Sequence, residues 1–395
     1  MMSRITKKVE PWTGIAKGIA AATVMLGTMS LLTGCDNFFV PEKGTGGGGT
    51  GGTTVGGSGA NYAYILNRAT NSVSGFLIGA GTLTATPGSP YALAFAPQGG
   101  VVARANNFLY LAAASAIYAL PISSDGSLAG SAQAPTVAIA SELVLTVSKD
   151  GQWLFGLNSQ STTLDEWKIN QSTGVLTAMP SAPFTLTDAI SSPMMLIVSP
   201  ASNYIFAALG SGGDHVFTFN TTTGAIASTQ HLYLGSAKTS DNSLATDSTG
   251  STLYIARSGL NGGLAFYTIA ATTGALNPVS GSPFATGQGT FDVALDASDK
   301  YVYAANRSDG TTSAFSIGTG NALTALSGSP FASGTLVTSL VRDRSGKYLL
   351  AAAAGGSPDL TMYSFDATVA GKLNVAATAA SGTDPAGSTL VMLAH

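Results

Sequence analysis

Several chemistries are closed to this chain by what it lacks. A single cysteine, Cys35, in 395 residues allows no intramolecular disulfide and no cysteine metal site. None of its three histidines, His215, His231 and His395, sits with acidic neighbours at metal-ligand spacing, so no metal is expected. His215 beside Asp214 reads as an exposed turn, with a general base as the other reading. Charged residues make up only 9% of the chain and form no basic block, which argues against nucleic acid as a partner. There is no Gly-x-Ser-x-Gly nucleophile elbow and no glycine motif that would cradle a phosphate, and nothing calls for a cofactor. No apolar run reaches the roughly 20 residues that a spanning helix needs.

What the N-terminus does have is a targeting pattern. Arg4, Lys7, Lys8 and Lys17, interrupted by Glu10, precede a 15-residue apolar stretch from Gly18 to Leu32. That length suits a signal-peptide core. The segment ends in Leu32-Thr33-Gly34-Cys35, which resembles the bacterial lipobox, whose cysteine is lipidated and begins the mature protein. The resemblance implies a signal peptide over 1–34, lipidation at Cys35, and an extracytoplasmic protein on the periplasmic or surface side of a membrane. Removal of 1–34 leaves 13 basic against 19 acidic residues, a charge near −6, so attachment would rest on lipid rather than on basic side chains. Residues 44–60 are almost wholly Gly, Thr and Ser, a composition that stays unfolded. Residues 35–60 therefore read as a lipidated tether with a reach of roughly 25–30 Å.

From residue 61 to 395 the chain repeats. Apolar β-runs carry a large side chain at Tyr64, Tyr110, Phe155, Phe206, Tyr254, Tyr303 and Leu350, at intervals of 45 to 51 residues. Seven such units of four short strands are the signature of a β-propeller. The clearest unit reads as an inner strand over Phe291–Asp296, a turn at Asp296-Ala297-Ser298-Asp299, then strands over Lys300–Asn306, Thr312–Ile317 and Ala322–Leu326. Connectors recur as Gly88-Ser89-Pro90-Tyr91, Gly281-Ser282-Pro283-Phe284 and Gly328-Ser329-Pro330-Phe331, with the variant Ser181-Ala182-Pro183-Phe184. Hairpin turns recur as Ser172-Thr173-Gly174, Thr222-Thr223-Gly224 and Thr272-Thr273-Gly274. The expected fold is all-β: a seven-bladed β-propeller of four-stranded antiparallel blades. The repeat opens on a second-type strand at Tyr62 and closes on a first-type strand near Ser388–Ala394. The C-terminal strand is therefore expected to complete the first blade.

The segment Lys300-Tyr301-Val302-Tyr303-Ala304-Ala305-Asn306 and the Gly-Ser-Pro-Phe connectors resemble the lactonase family of seven-bladed propellers, which includes 6-phosphogluconolactonase-like proteins. The resemblance covers residues 62–395. Enzymatic members carry Gly-Pro-Arg-His entering an inner strand and Asn-Glu at the end of the next. Here these stretches read Gly289-Thr290-Phe291-Asp292 and Asn306-Arg307, so the arginine, histidine and glutamate are all replaced. Leu340-Val341-Arg342 and Met194-Met195-Leu196 occupy similar ground in other blades and do not restore them.

On the face where second strands pass to third strands, Asn67, Arg68, Asn158, Arg257, Asn306 and Arg307 are the candidate ligand-binding residues. Three equivalent arginines around one channel mouth could hold a carboxylate or phosphate, or each could be a solvated or locally paired loop residue. The expected function is a membrane-anchored binding or interaction module, a monomer whose funnel face receives a protein or a small anionic ligand. Two alternatives stand beside it. One is a lactone hydrolase whose base would be Asp188, Asp292 or Glu142. The other is a structural protein of the cell envelope.

Overall fold

The computed structural model describes residues 61–394 apart from 106, 130–134, 139–141, 159–162, 180–183, 187–193, 357 and 382–390. The signal-peptide, lipidation and tether assignments lie outside the described residues. Those residues fold into seven antiparallel sheets, each with four strands in a path from inside to outside, and three of them carry a fifth short strand. They contain a single 3-10 turn at Thr319–Asn321 and no α-helix.

The inner strands, counted by blade, are Val391–Ala394, Gly99–Ala103, Glu142–Val147, Met195–Val198, Thr239–Thr246, Thr290–Leu295 and Val337–Arg342. The first belongs to the C-terminus. It pairs antiparallel with Tyr62–Asn67, opposing Val391 to Leu66 and Ala394 to Ala63. The expected clasp is present: one blade is assembled from both ends of the chain.

The sixth blade follows its expected outline closely, with strands at Thr290–Leu295, Tyr301–Asn306, Thr311–Ile317 and Leu323–Ala325. The connectors do more than lead inward. Tyr91–Ala92, Phe184–Thr185 and Phe331–Ala332 each add a two-residue strand against the third strand of their blade. The connector serine has a defined job. Ser89, Ser282 and Ser329 Oγ accept hydrogen bonds from the third-strand amides of Gly75, Phe266 and Ala314 at 3.0, 2.9 and 2.8 Å. Amides that no neighbouring strand reaches are satisfied in this way.

All seven repeated large side chains are buried. Their residues belong to seven apolar clusters, each drawn from two adjacent blades, and the cluster holding Ala63, Ile65, Leu350 and Met362 joins the seventh blade to the first. Ring closure is thus both hydrogen-bonded and hydrophobic. Where the repeated residue is tyrosine it also ties blades together. Tyr64, Tyr110 and Tyr303 donate to the carbonyls of Gly126, Gly174 and Gly371 in the next blade's turn, at 2.8, 3.0 and 2.8 Å. Gly174, Gly224 and Gly274 hold positive φ in equivalent turns, and an added Cβ at Gly274 would lie 2.5 Å from the Tyr204 ring.

Candidate active site

The inner strands surround a central channel whose cavity measures about 520 Å³. Inner strands face one another across little space, so their alternate side chains become the channel lining. In three consecutive blades this alternation is broken at the same place. The pairing register shifts between Asp241 and Ser243, between Thr290 and Asp292, and between Val337 and Ser339. Each shift leaves one extra residue, Asn242, Phe291 or Thr338, and all three line the cavity. A bulge of this kind re-aims the side chains beside it.

The three bulges bring Ser243, Asp292 and Ser339 to equivalent positions on neighbouring blades. They meet at the Asp292 carboxylate. Its Oδ1 accepts from Ser243 Oγ at 2.5 Å and from the Val293 amide at 2.8 Å. Its Oδ2 accepts from the Leu340 amide at 2.6 Å, and the Ser339 side chain donates to the carboxylate as well. Burial pushes the Asp292 carboxyl up to about 6, and the hydrogen bonds from Ser243, Leu340, Val293 and Ser339 oppose that rise. The residue as a whole keeps some exposure to the channel. A carboxylate with a proton affinity near neutrality, facing a cavity, is suited to accept a proton from water.

Of the other two candidate bases, Asp188 lies outside the described residues. Glu142 falls on the third blade's inner strand, where only the backbone is described.

The ligand-binding candidates have separate settings. Asn67 is fully buried and donates to Ser74 Oγ at 3.0 Å, to Ser72 Oγ at 3.5 Å and to the Ser381 carbonyl at 3.4 Å. Asn306, equally buried, donates to Thr311 Oγ1 at 3.0 Å and Ser313 Oγ at 2.9 Å. Both brace the second strand against the third, and Asn158 is buried at the matching strand end. Arg68 lies on an exposed turn. Arg257 forms a two-pronged pair with Asp241, Nε to Oδ1 at 2.6 Å and Nη2 to Oδ2 at 2.7 Å, with its side chain 13% exposed. Arg307 lies 5.1 Å from the centre of the Phe291 ring, and its buried Nε has no hydrogen-bond partner among the described residues. Of the three arginines, Arg307 is the one packed on a residue of the channel wall.

One expectation is corrected. His215 is not on an exposed turn: it is 4% exposed, is the second residue of the strand Asp214–Phe219, and stacks between Phe217 and His231 at 4.7 and 4.8 Å. Apolar and aromatic neighbours on both sides of the ring bury it. Among the described residues no group of three or more His, Cys, Asp or Glu side chains is arranged to hold a metal.

Ser243 and Ser339 escaped sequence reasoning. The signal available was positional: each follows a bulge residue at the same blade position as Asp292.

Residues 206–328 match the family model described as "Lactonase, 7-bladed beta-propeller". Among solved structures, the chain is similar to a "putative 6-phosphogluconolactonase" from Bacteroides uniformis, with 17% identity, a TM-score of 0.69, and coverage of 84% of this chain and 99% of that one. A protein from Lactobacillus plantarum gives 17% identity and a TM-score of 0.65 over 85% of this chain and 99% of that one. A periplasmic gluconolactonase from Pseudomonas aeruginosa gives 18% and 0.54 over 69% and 84%. At these identities the likeness is one of fold. A search of curated proteins finds no match.

Proposed function

We propose that the protein hydrolyses lactones in its central channel, with Asp292 as the general base, and that Cys35 tethers it to a membrane outside the cytoplasm. The observation that carries the reading is the setting of Asp292. It stands where the lactonase motif has histidine, it borders the cavity, and its carboxyl titrates near 6. The matched family segment contains it. The names of two structural neighbours, "putative 6-phosphogluconolactonase" and "Periplasmic gluconolactonase", support the same substrate class.

In this reading a water molecule attacks the lactone carbonyl while Asp292 takes its proton. Negative charge then develops on the carbonyl oxygen, and Arg307, whose Nε has a donor to spare, stabilises it from the channel mouth. The ring C–O bond breaks, and the proton held by Asp292 passes to the departing alkoxide. The product is an open hydroxy acid, and the carboxylate of Asp292 is regenerated. The usual arginine and glutamate positions hold Phe291 and Arg307, so the cation comes from the turn after the second strand instead of from the inner strand. An extracytoplasmic location separates the protein from phosphorylated cytosolic sugars, so a free sugar lactone or a related ester is the expected substrate.

The test is acid release from a panel of γ- and δ-lactones, followed together with thermal shift. Turnover should fall at least 100-fold in Asp292→Asn and about 10- to 100-fold in Arg307→Gln. In the wild type, kcat/KM should decline as pH drops through about 6, because the protonated carboxyl is no base. No lactone turned over by the wild type would end the hydrolase reading.

A second reading, a binding module, draws on a specific observation: the Asp292 carboxylate already accepts hydrogen bonds from Ser243, Val293, Leu340 and Ser339. A carboxylate so held can serve as a fixed acceptor for a ligand hydroxyl. Thermal shift without turnover is its signature.

A further inference from the structure

The hydroxyl and amide side chains that border the channel are committed to the wall itself. Thr146, Ser148, Asn242, Ser243, Thr338 and Ser339 are each 8% exposed or less. Ser148 Oγ donates to Asp150 Oδ1 at 2.5 Å and accepts from the Trp153 amide at 3.0 Å. Asn242 accepts from Ser240 Oγ at 2.8 Å and donates to Ser258 Oγ and to the Thr290 carbonyl, both at 2.9 Å. Ser243 and Ser339 turn to the Asp292 carboxylate.

The lining side chains that stay half-exposed are of another kind. Among the described residues they are Asp292 and a set of apolar groups that includes Val101, Val144, Met195, Ile197 and Phe291. The charged Arg104 and Lys149 come just after the ends of their inner strands, where the hairpins begin, and so stand at the rim. Position in the ring sharpens the contrast. Each inner strand packs beside the inner strands of the next and the previous blade in one unbroken circle. The second and third blades therefore lie across the channel from the sixth, which carries Asp292. Val101 and Val144 belong to those two blades, and the fourth blade adds Met195 and Ile197. The wall opposite the carboxylate is apolar.

We propose that the channel selects lactones or esters that carry an apolar chain over polyhydroxylated sugar lactones; this rests on the channel being the site of lactone hydrolysis. Each hydroxyl of a sugar lactone laid against valine, isoleucine or methionine would lose its water and gain no partner. The one half-exposed polar side chain, Asp292, already accepts from Ser243, Val293, Leu340 and Ser339. An alkyl chain meets the same wall favourably, gaining about fourfold in affinity for each methylene buried. Methionine adapts to chains of different shape. A cavity of about 520 Å³ falls within the range of roughly 300–1,000 Å³ that encloses small organic ligands. The inner strands are the free edges of their sheets, and their backbone groups suit the ester itself.

The test uses the full chain and two measurements. Turnover is followed for γ-valerolactone, γ-octalactone, γ-dodecalactone and glucono-δ-lactone. Binding is followed by calorimetry for the lactams of the three γ-lactone skeletons, which keep the shape and resist hydrolysis. Lactam affinity should rise at least 10-fold from the shortest chain to the middle one, and kcat/KM should follow the same order. Glucono-δ-lactone should be turned over at least 100-fold less efficiently than γ-octalactone. The Val101→Thr/Val144→Thr double variant keeps the shape of the wall and adds hydroxyls to it. It should lose most of the chain-length gain while binding the shortest lactam as before. Val375→Thr, 62% exposed on the outermost strand of the seventh blade, should retain the gain. Ligand-free melting temperatures identify a variant that misfolds, and Met195→Gln provides a second probe of the wall. A flat lactam series, a gain that survives both wall variants, or a preference for glucono-δ-lactone overturns the proposal and leaves hydrolysis standing. Lactam binding that rises with chain length, with no lactone turned over, does the reverse: the apolar wall stands and the hydrolase reading falls.

Discussion

Asp214 and Asp241 are 2% and 0% exposed, and among the described residues Arg257 is the cation that acts on both. Arg257 is engaged two-pronged by Asp241, while neither oxygen of Asp214 has a hydrogen-bond partner among the described residues. Burial first, then the charge of Asp241, raises the Asp214 carboxyl well above its ordinary range, and Arg257 only partly opposes this. A carboxyl whose folded pKa exceeds its unfolded one favours folding most at low pH. That advantage is lost as pH climbs from the ordinary carboxylate range through the folded value. Asp214→Asn should therefore stabilise the protein by about 1–3 kcal/mol at pH 8 and by little at pH 4. Urea melts at the two pH values read the difference. A loss of stability at both would mean the charged form is the one the fold wants. Glu166 repeats the logic more weakly: burial pushes it up to about 7, but the side chain keeps some solvent. Glu166→Gln should add about 1 kcal/mol above pH 7 and nothing below pH 4.5.

Strands and turns are the scale at which this molecule is most legible from its sequence, and the reason is locality. A positive-φ glycine, a Ser-Pro connector and a period-two apolar run each declare their structure within a few residues. That is why the sixth blade falls within a residue or two of its expected strands. The repeated aromatics mark packing for the same reason: Tyr303 must be large for its neighbour blade, and its hydroxyl must reach Gly371 O. Tyr303→Phe leaves that buried carbonyl without its donor and should cost about 1–2 kcal/mol, read as a lower urea midpoint. Gly274→Ala should cost more, because it combines a φ of 71° with a Cβ 2.5 Å from the Tyr204 ring. If both variants melt like the wild type, the turn-to-aromatic contacts contribute nothing. The channel was far less legible. Ser243 lies 49 residues before Asp292 and Leu340 lies 48 residues after it, and they meet only because three bulges shift three strands alike. No short window of sequence contains that coincidence. The arginines show a related limit: equal positions in the repeat do not give equal partners, since Asp241 answers Arg257 while Phe291 lies under Arg307.

At the scale of the whole molecule, closure couples everything. Each blade buries its faces only against its two neighbours, and the seven inter-blade clusters form an unbroken cycle. An open array of the same blades would leave two apolar faces and a strand edge in water. The chain avoids that by returning Val391–Ala394 to the strand it began with, opposite Ala63 to Leu66. The joint is non-local in the extreme, linking residues more than 320 positions apart, so its entropy of closure is recovered only when the ring is complete. Deleting residues 386–395 should therefore weaken the entire propeller and not just its first blade. The expected result is one cooperative transition lowered by about 10 °C in thermal melts, with amide exchange accelerated in all seven blades. A truncated chain that melts normally, or whose exchange quickens only in residues 62–85, would mean that the blades hold the ring without help from the chain ends.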